Sequence, residues 1–217
     1  MNTSAAAPQT VDPGSQAEAQ ITLGMLTAIE ENSVLTQRSL ARGLGIALGL
    51  ANAYLKRCVT KGYIKVTHAP AKRYVYYLTP QGFAEKSRLT AQYLALSFDF
   101  FRLARNQCST LFGECETRGW TQIALCGAGE LAEIAMLCAE SHAVTLIGLV
   151  ERGGGPGVGK LPLVGTLAEL VKPDAVLITD QRTPQRTYDR LVTMLPRERV
   201  LAPRLLNISR TPPRLAE

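Results

Sequence analysis

Residues 36–82 read TQRSLARGLGIALGLANAYLKRCVTKGYIKVTHAPAKRYVYYLTPQG, and this stretch decides the fold of the first half of the chain. Thr36 is a good N-cap, because its hydroxyl can accept one of the N–H groups left unpaired at a helix start, and a short helix is expected over Gln37–Leu44. Gly43 and Gly45 break that helix. A longer one is expected over Ala47–Lys61, with Gly62 as the residue just past its end. Tyr63–Val66 alternates as a strand, His68–Lys72 makes a turn, and Tyr74–Leu78 returns. Upstream, Ile21, Leu23, Met25, Leu26 and Ile29 recur at helical spacing and predict a helix over Glu18–Glu31. Three helices and a hairpin form the winged helix-turn-helix plan, in which the second helix of the turn pair enters the DNA major groove.

The charge distribution fits that plan. The 217 residues carry 24 basic and 18 acidic side chains, a net charge of +6. From Asn32 to Ala84 there are eight basic residues and no acidic one. A basic block on a folded segment is a footprint for a polyanion such as double-stranded DNA, although a solvated face would look the same. The hydrophobic share of 46% excludes general disorder. No long apolar stretch lacks a charge, which argues against a membrane span. Residues 1–17 are rich in Ala, Pro, Gly, Ser and Thr, and read as a flexible leader without a signal-peptide pattern. Five cysteines, an odd number without a C-x-x-C pair, point to reduced thiols, no metal centre and a cytoplasmic setting.

The first half resembles the MarR family of winged-helix regulators, most closely its exopolysaccharide-associated subset. The words that carry the resemblance are Thr36-Gln37-Arg38-Ser39-Leu40-Ala41, Lys61-Gly62-Tyr63-Ile64, and above all Leu78-Thr79-Pro80-Gln81-Gly82. It covers residues 20–95. The resemblance implies that Ala47, Leu48, Ala51 and Asn52 face the bases. Arg38, Lys56, Arg57, Lys72 and Arg73 would serve phosphates, and Thr36 and Gln37 complete the DNA-binding set. The recognition helix opens on Ala and Leu, so readout would rest on Asn52 and on contacts with thymine methyls. A winged helix used only for protein contacts is the alternative.

Leu89, Tyr93, Leu96, Phe100, Leu103, Leu111 and Phe112 predict a long amphipathic helix between Pro80 and Gly119, or two helices with a break near Asn106. Helix pairing in a homodimer is the simplest use of so much apolar surface, and the resemblance implies a dimer. Packing within one chain is the alternative.

The second half alternates strands and helices. Strands are expected at Thr121–Cys126, Ala143–Val150, Asp174–Thr179 and Arg199–Leu201, with helices at Glu130–Glu140 and Pro184–Leu195. This is the pattern of a parallel α/β sheet. Gly127-Ala128-Gly129-Glu130-Leu131-Ala132 fits the G-x-G-x-x-G/A fingerprint between a strand and a helix, the setting in which a helix N-terminus cradles a pyrophosphate. Glu151 ends the next strand, where an acid would meet a ribose hydroxyl. The fold expected here is a Rossmann-like domain holding a dinucleotide or a nucleotide sugar at Gly127, Ala128, Gly129, Glu130, Leu131, Glu151, Arg152 and Lys160. A Rossmann-like domain with no dinucleotide is the alternative, since Glu130 would repel a pyrophosphate.

The words Gly127–Glu133 and Leu161–Leu167 resemble the N-terminal domain of sugar O-acyltransferases, which implies a sugar-nucleotide type of ligand. The layout is also similar to that of Rex-type NAD(H)-sensing repressors. Gly154–Leu161 imitates a P-loop, but Leu161 stands where the Ser or Thr should be and Pro162 follows, so NTPase chemistry is rejected.

The chain is expected to divide into a leader (1–17), a winged-helix domain (18–79), a long connecting helix (80–119), a Rossmann-like domain (120–204) and a tail (205–217). His68 and His142 have no catalytic partner at a known spacing. Cys108 and Cys115 share a helix face about 10 Å apart and could bridge only across a dimer seam. The expected function is a non-enzymatic DNA-binding transcriptional regulator that senses a nucleotide-type metabolite. The alternatives are an accessory protein of polysaccharide synthesis that does not bind DNA, and a Rex-like redox sensor.

Overall fold

The computed structural model describes residues 13–69, 73–151 and 161–210. The chain forms two compact units, residues 1–97 and 98–217. One long helix, α4, runs from Pro80 to Thr117 and contributes to both.

In the first unit α1 spans Pro13–Glu31, α2 Gln37–Gly43 and α3 Leu48–Thr60, followed by strands β1 (Ile64–Ala69) and β2 (Arg73–Leu78). Helix α1 starts five residues before Glu18, so residues 13–17 are helical and not part of a loose leader. A proline at the first position of a helix costs no hydrogen bond, because that N–H has no partner anyway. The expected cap is present. Ser39 N–H donates to Thr36 Oγ1 at 3.0 Å, and Thr36 N–H donates back to Ser39 Oγ at 3.0 Å. β1 and β2 pair antiparallel from Ile64 opposite Leu78 to Ala69 opposite Arg73. The core brings together Met25, Leu26 and Ile29 of α1, Leu40 of α2, Leu55 of α3 and Leu89 of α4, all buried.

Thr79 closes the unit between β2 and α4. Its hydroxyl donates to Gly62 O at 2.6 Å and accepts from Gly82 N–H at 3.0 Å, while Thr79 N–H donates to Tyr63 O. The first turn of α4 thereby lies directly on the start of β1. Helix α4 is continuous, with no break at Asn106.

The second unit is a parallel sheet between helices. Its strands are β3 (Gln122–Cys126), β4 (Thr145–Val150), β5 (Leu163–Val164), β6 (Ala175–Ile178) and β7 (Val200–Leu201), in the order β5-β4-β3-β6-β7. All four pairings are parallel. That order reverses direction at β3, as in doubly wound dinucleotide folds. Helix α5 (Glu130–Ala139) links β3 to β4, and α6 (Pro184–Leu191) links β6 to β7.

Side chains alternate along β3, so the sheet has two apolar faces. Ile123 and Leu125 face Ala104, Cys108, Phe112 and Cys115 of α4 and Leu131 and Ala135 of α5. Ala124 and Cys126 face Tyr188 and Leu191 of α6. β5 was not expected; two residues carry no periodicity. Residues beyond 204 are not simply a tail, because Leu205, Leu206 and Ile208 pack against these cores.

Candidate nucleic-acid interface and ligand pocket

On the first unit, Thr36, Gln37, Arg38, Ala47, Leu48 and Lys56 are exposed, as are Arg42 and Lys65. Two of the expected base-facing residues are placed otherwise. Ala51 is only 1% exposed and packs in the core, because it lies one turn from buried Tyr54 and Leu55 on the same side of α3. Asn52 is half-buried, and its Oδ1 is shut off from water with no hydrogen-bond partner among the described residues. The outer surface of α3 carries Leu50 and Ala53 beside Leu48 and Lys56. Leu50 was missed because a leucine in a helix reads as core.

Arg57 is not a free cation. It donates to Glu18 Oε2 of α1 at 3.0 Å and lies over the Tyr54 ring, 5.2 Å from its centre. Both partners of that ion pair are half-exposed, so the tie is worth no more than about 1 kcal/mol, and a phosphate could displace it. Lys72 and the side chain of Arg73 lie outside the described residues, as do Arg152 and Lys160.

On the second unit, the glycine turn has the expected backbone but a different use. Gly127 has φ +109° and is buried. A β-carbon there would lie 2.4 Å from the Asp180 backbone, so the close approach this glycine permits is to the loop after β6. Glu151 stands at the end of β4 as expected, but its Oε2 accepts from Ala128 N–H at 2.7 Å. A carboxylate of the chain itself thus occupies a donor that a pyrophosphate would use. Leu131 is fully buried in the core, which corrects its expected ligand contact, since it lies on the sheet-facing side of α5. Ala128 and Gly129 are half-buried and Glu130 is exposed.

Beside this turn lies a cavity of about 520 Å³, in the range of small-molecule sites. It opens at the carboxyl ends of the strands. Cys126, Val150 and Glu151 line it from the sheet, and Arg182, Arg186 and Arg190 from α6 and its approach. None of the three arginines was expected. Their only signal was the four-residue interval, which places Arg186 and Arg190 on one side of α6, while Arg182 precedes the helix.

Asp180 lies at the same edge. It accepts from Arg182 N–H, Thr183 N–H and the hydroxyls of Thr183 and Thr187, at 2.7–3.1 Å. Burial pushes its carboxyl up, but these hydrogen bonds outweigh burial and hold it below the ordinary carboxylate value.

His142 does have partners, contrary to the sequence expectation. Its Nδ1 lies 3.2 Å from Glu116 Oε2, and its Nε2 lies 2.7 Å from Ser109 Oγ. The carboxylate can only accept, so Nδ1–H donates to Glu116, and Nε2 shares the second hydrogen bond with the Ser109 hydroxyl. Glu116 also accepts from Ala143 N–H. That bond first, and His142 second, hold its carboxyl below the ordinary value. The order of groups is that of a hydrolytic triad, but Ser109 lies mid-helix, where backbone N–H groups are taken up by the helix and supply no oxyanion hole. The arrangement ties α4 to the loop before β4.

The cysteines are not arranged for a bridge across a seam. All five are buried, and Cys108 and Cys115 lie inside the core of their own unit. Burial pushes the Cys108 thiol up to about 12 and that of Cys115 to about 11. Among the described residues no cluster of His, Cys, Asp or Glu could hold a metal ion, and no helix is long and apolar enough to cross a membrane.

Comparison with known proteins gives one family match and several structural likenesses. No curated protein matches the chain. A MarR family protein of Mycobacterium tuberculosis in complex with p-aminosalicylic acid is 19% identical, with a TM-score of 0.32, over 36% of this chain and 65% of that one. The PcaV transcriptional regulator of Streptomyces coelicolor with its natural ligand is 19% identical, with a TM-score of 0.36, over 45% of this chain and 84% of that one. A mutant of MepR from Staphylococcus aureus bound to an oligodeoxyribonucleotide is 22% identical, with a TM-score of 0.33, over 38% and 61%. This chain therefore spans less than two thirds of the first and last of these proteins, and identities and scores this low assign no function. Residues 19–65 match the family of winged helix-turn-helix DNA-binding domains.

Proposed function

We propose that the protein is a DNA-binding transcriptional regulator of MarR type. In this reading it is a cytoplasmic homodimer that binds double-stranded DNA through α2, α3 and the β1–β2 hairpin. The carboxyl edge of the parallel sheet binds a small nucleotide-type metabolite, and that ligand changes DNA affinity. The observation that carries the reading is the pair of α2, capped by Thr36, and α3, followed by β1, with exposed Arg38, Arg42, Lys56 and Lys65, on a segment that matches winged DNA-binding domains. Leu48 and Leu50, both exposed, offer apolar contacts to thymine methyls.

The test is a band shift on DNA upstream of the protein's own gene, across a salt series. Phosphate contacts release counterions, so affinity falls steeply with salt, and each lost contact lowers the log–log slope by about 1. Arg38→Ala with Lys56→Ala should weaken binding and flatten the slope by about 2. A wild-type protein that shifts no DNA at low salt sinks the reading. The exposed Leu48 and Leu50 would then favour the second one, in which the winged helix contacts a protein partner.

A further inference from the structure

Three guanidinium groups line the cavity at the carboxyl edge. Arg186 and Arg190 are one helical turn apart on α6, and Arg182 lies one further turn's spacing upstream. Among the described residues none of the three is in a salt bridge. Among the described residues the half-buried Arg190 guanidinium donates only to Cys126 Sγ, at 3.6 Å, and a thiol sulfur is a weak acceptor. The two acids in the lining offset part of this charge, but neither is in a salt bridge with the row among the described residues, and three cations exceed two carboxylates. Asp180 is taken up by four donors at the start of α6, and Glu151 gives Oε2 to Ala128 N–H. Arg182 and Arg186 are exposed and Arg190 is half-buried, so the row is open to a ligand, and neighbouring planar guanidinium forks suit a phosphate.

We infer that this cavity binds a phosphorylated, hydroxyl-bearing small molecule whose phosphate is held by Arg186 and Arg190, with Arg182 at the mouth. The glycine turn does not hold the phosphate, because Gly127 is buried and Glu151 already occupies Ala128 N–H. The turn instead fixes Glu151, whose Oε1 has no hydrogen-bond partner among the described residues and can accept from a ligand hydroxyl. This assignment rests on the reading of the second unit as the ligand-binding part. Nucleotides and sugar phosphates share the required chemistry.

The experiment is calorimetric titration of the full chain at fixed ionic strength with ADP and with glucose 1-phosphate, using adenosine and glucose as unphosphorylated controls. Saturable binding of at least one phosphorylated probe and none of the controls is expected, and the probe that binds tells a nucleotide site from a sugar-phosphate site. Arg186→Ala should weaken it about tenfold or more, and Arg186→Lys less, since charge survives but the fork is lost. Arg186 is exposed, so these variants should keep the wild-type melting curve; Arg190→Ala is a second probe of the same row. Unchanged affinity in both alanine variants would overturn the assignment, and so would no binding of either phosphorylated probe. Those failures leave the band shift untouched, so the DNA reading stands or falls separately. Binding that is lost in Arg186→Ala but never alters the band shift supports the cavity and sinks the sensor.

Discussion

A β-carbon on Gly82 would lie 2.1 Å from the carbonyl oxygen of Tyr63. This is why the word Leu-Thr-Pro-Gln-Gly ends as it does. Thr79 draws the first turn of α4 onto the start of β1, and only a residue without a side chain fits beneath. Gly82→Ala therefore sets two effects against each other. Alanine gains about 1 kcal/mol of helix propensity. Displacing a backbone carbonyl costs about 1–3 kcal/mol or more, because neither element can give without losing the Thr79 hydrogen bonds. The net result should be a lower midpoint in thermal melts of the variant, and an equal or higher midpoint would refute the packing argument. Glu116 supports a second prediction. Its carboxyl is held below the ordinary value of 4.5, so its bonds to Ala143 and His142 stabilise the fold fully above that pH. The contribution disappears as pH falls through the lowered value. Urea midpoints of Glu116→Gln should lie below wild type at pH 7 and converge with it under acid conditions; a constant gap would exclude this linkage.

Among the elements, α4 most needs a partner. Phe83, Leu94, Phe98 and Phe101 fall on one side at 100° per residue and are 38–57% exposed. This stripe is the surface on which the proposed homodimer would pair. The full chain should sediment as a homodimer at micromolar concentration, and Leu94→Asp with Phe98→Asp should yield a folded monomer; a wild-type monomer would remove the dimer from the proposed function. The helices and strands were legible because caps and periodicity are local. Thr36, Gly62 and the apolar run before Gly127 each announce an element within a few residues. The site was legible only in part. The sequence placed Gly127 and Glu151 at the strand ends, but it could not tell that the acid folds back onto the Ala128 amide 23 residues away. The serine, histidine and glutamate of the α4 tie were invisible for the same reason, since Ser109 and His142 are 33 residues apart. Ala51 failed differently, because an alanine fits either side of a helix.

Across the whole molecule, charge and thiols are both distributed unevenly. Residues 1–97 carry ten basic and five acidic side chains, whereas residues 98–217 carry fourteen and thirteen. Most of the surplus that a polyanion would feel thus belongs to the first unit. The cysteines divide in the opposite sense, with Cys58 in the first unit and Cys108, Cys115, Cys126 and Cys138 in the second. Every one is buried, and burial raises every thiol, Cys58 to about 11. A maleimide or disulfide reagent therefore has nothing to react with until some part of the fold opens. If the two units open separately, modification of Cys58 times the opening of the first, and modification of the other four times the opening of the second; equal rates at all five cysteines would show that the units open together. Peptide mapping after a brief pulse reads both, with no label introduced.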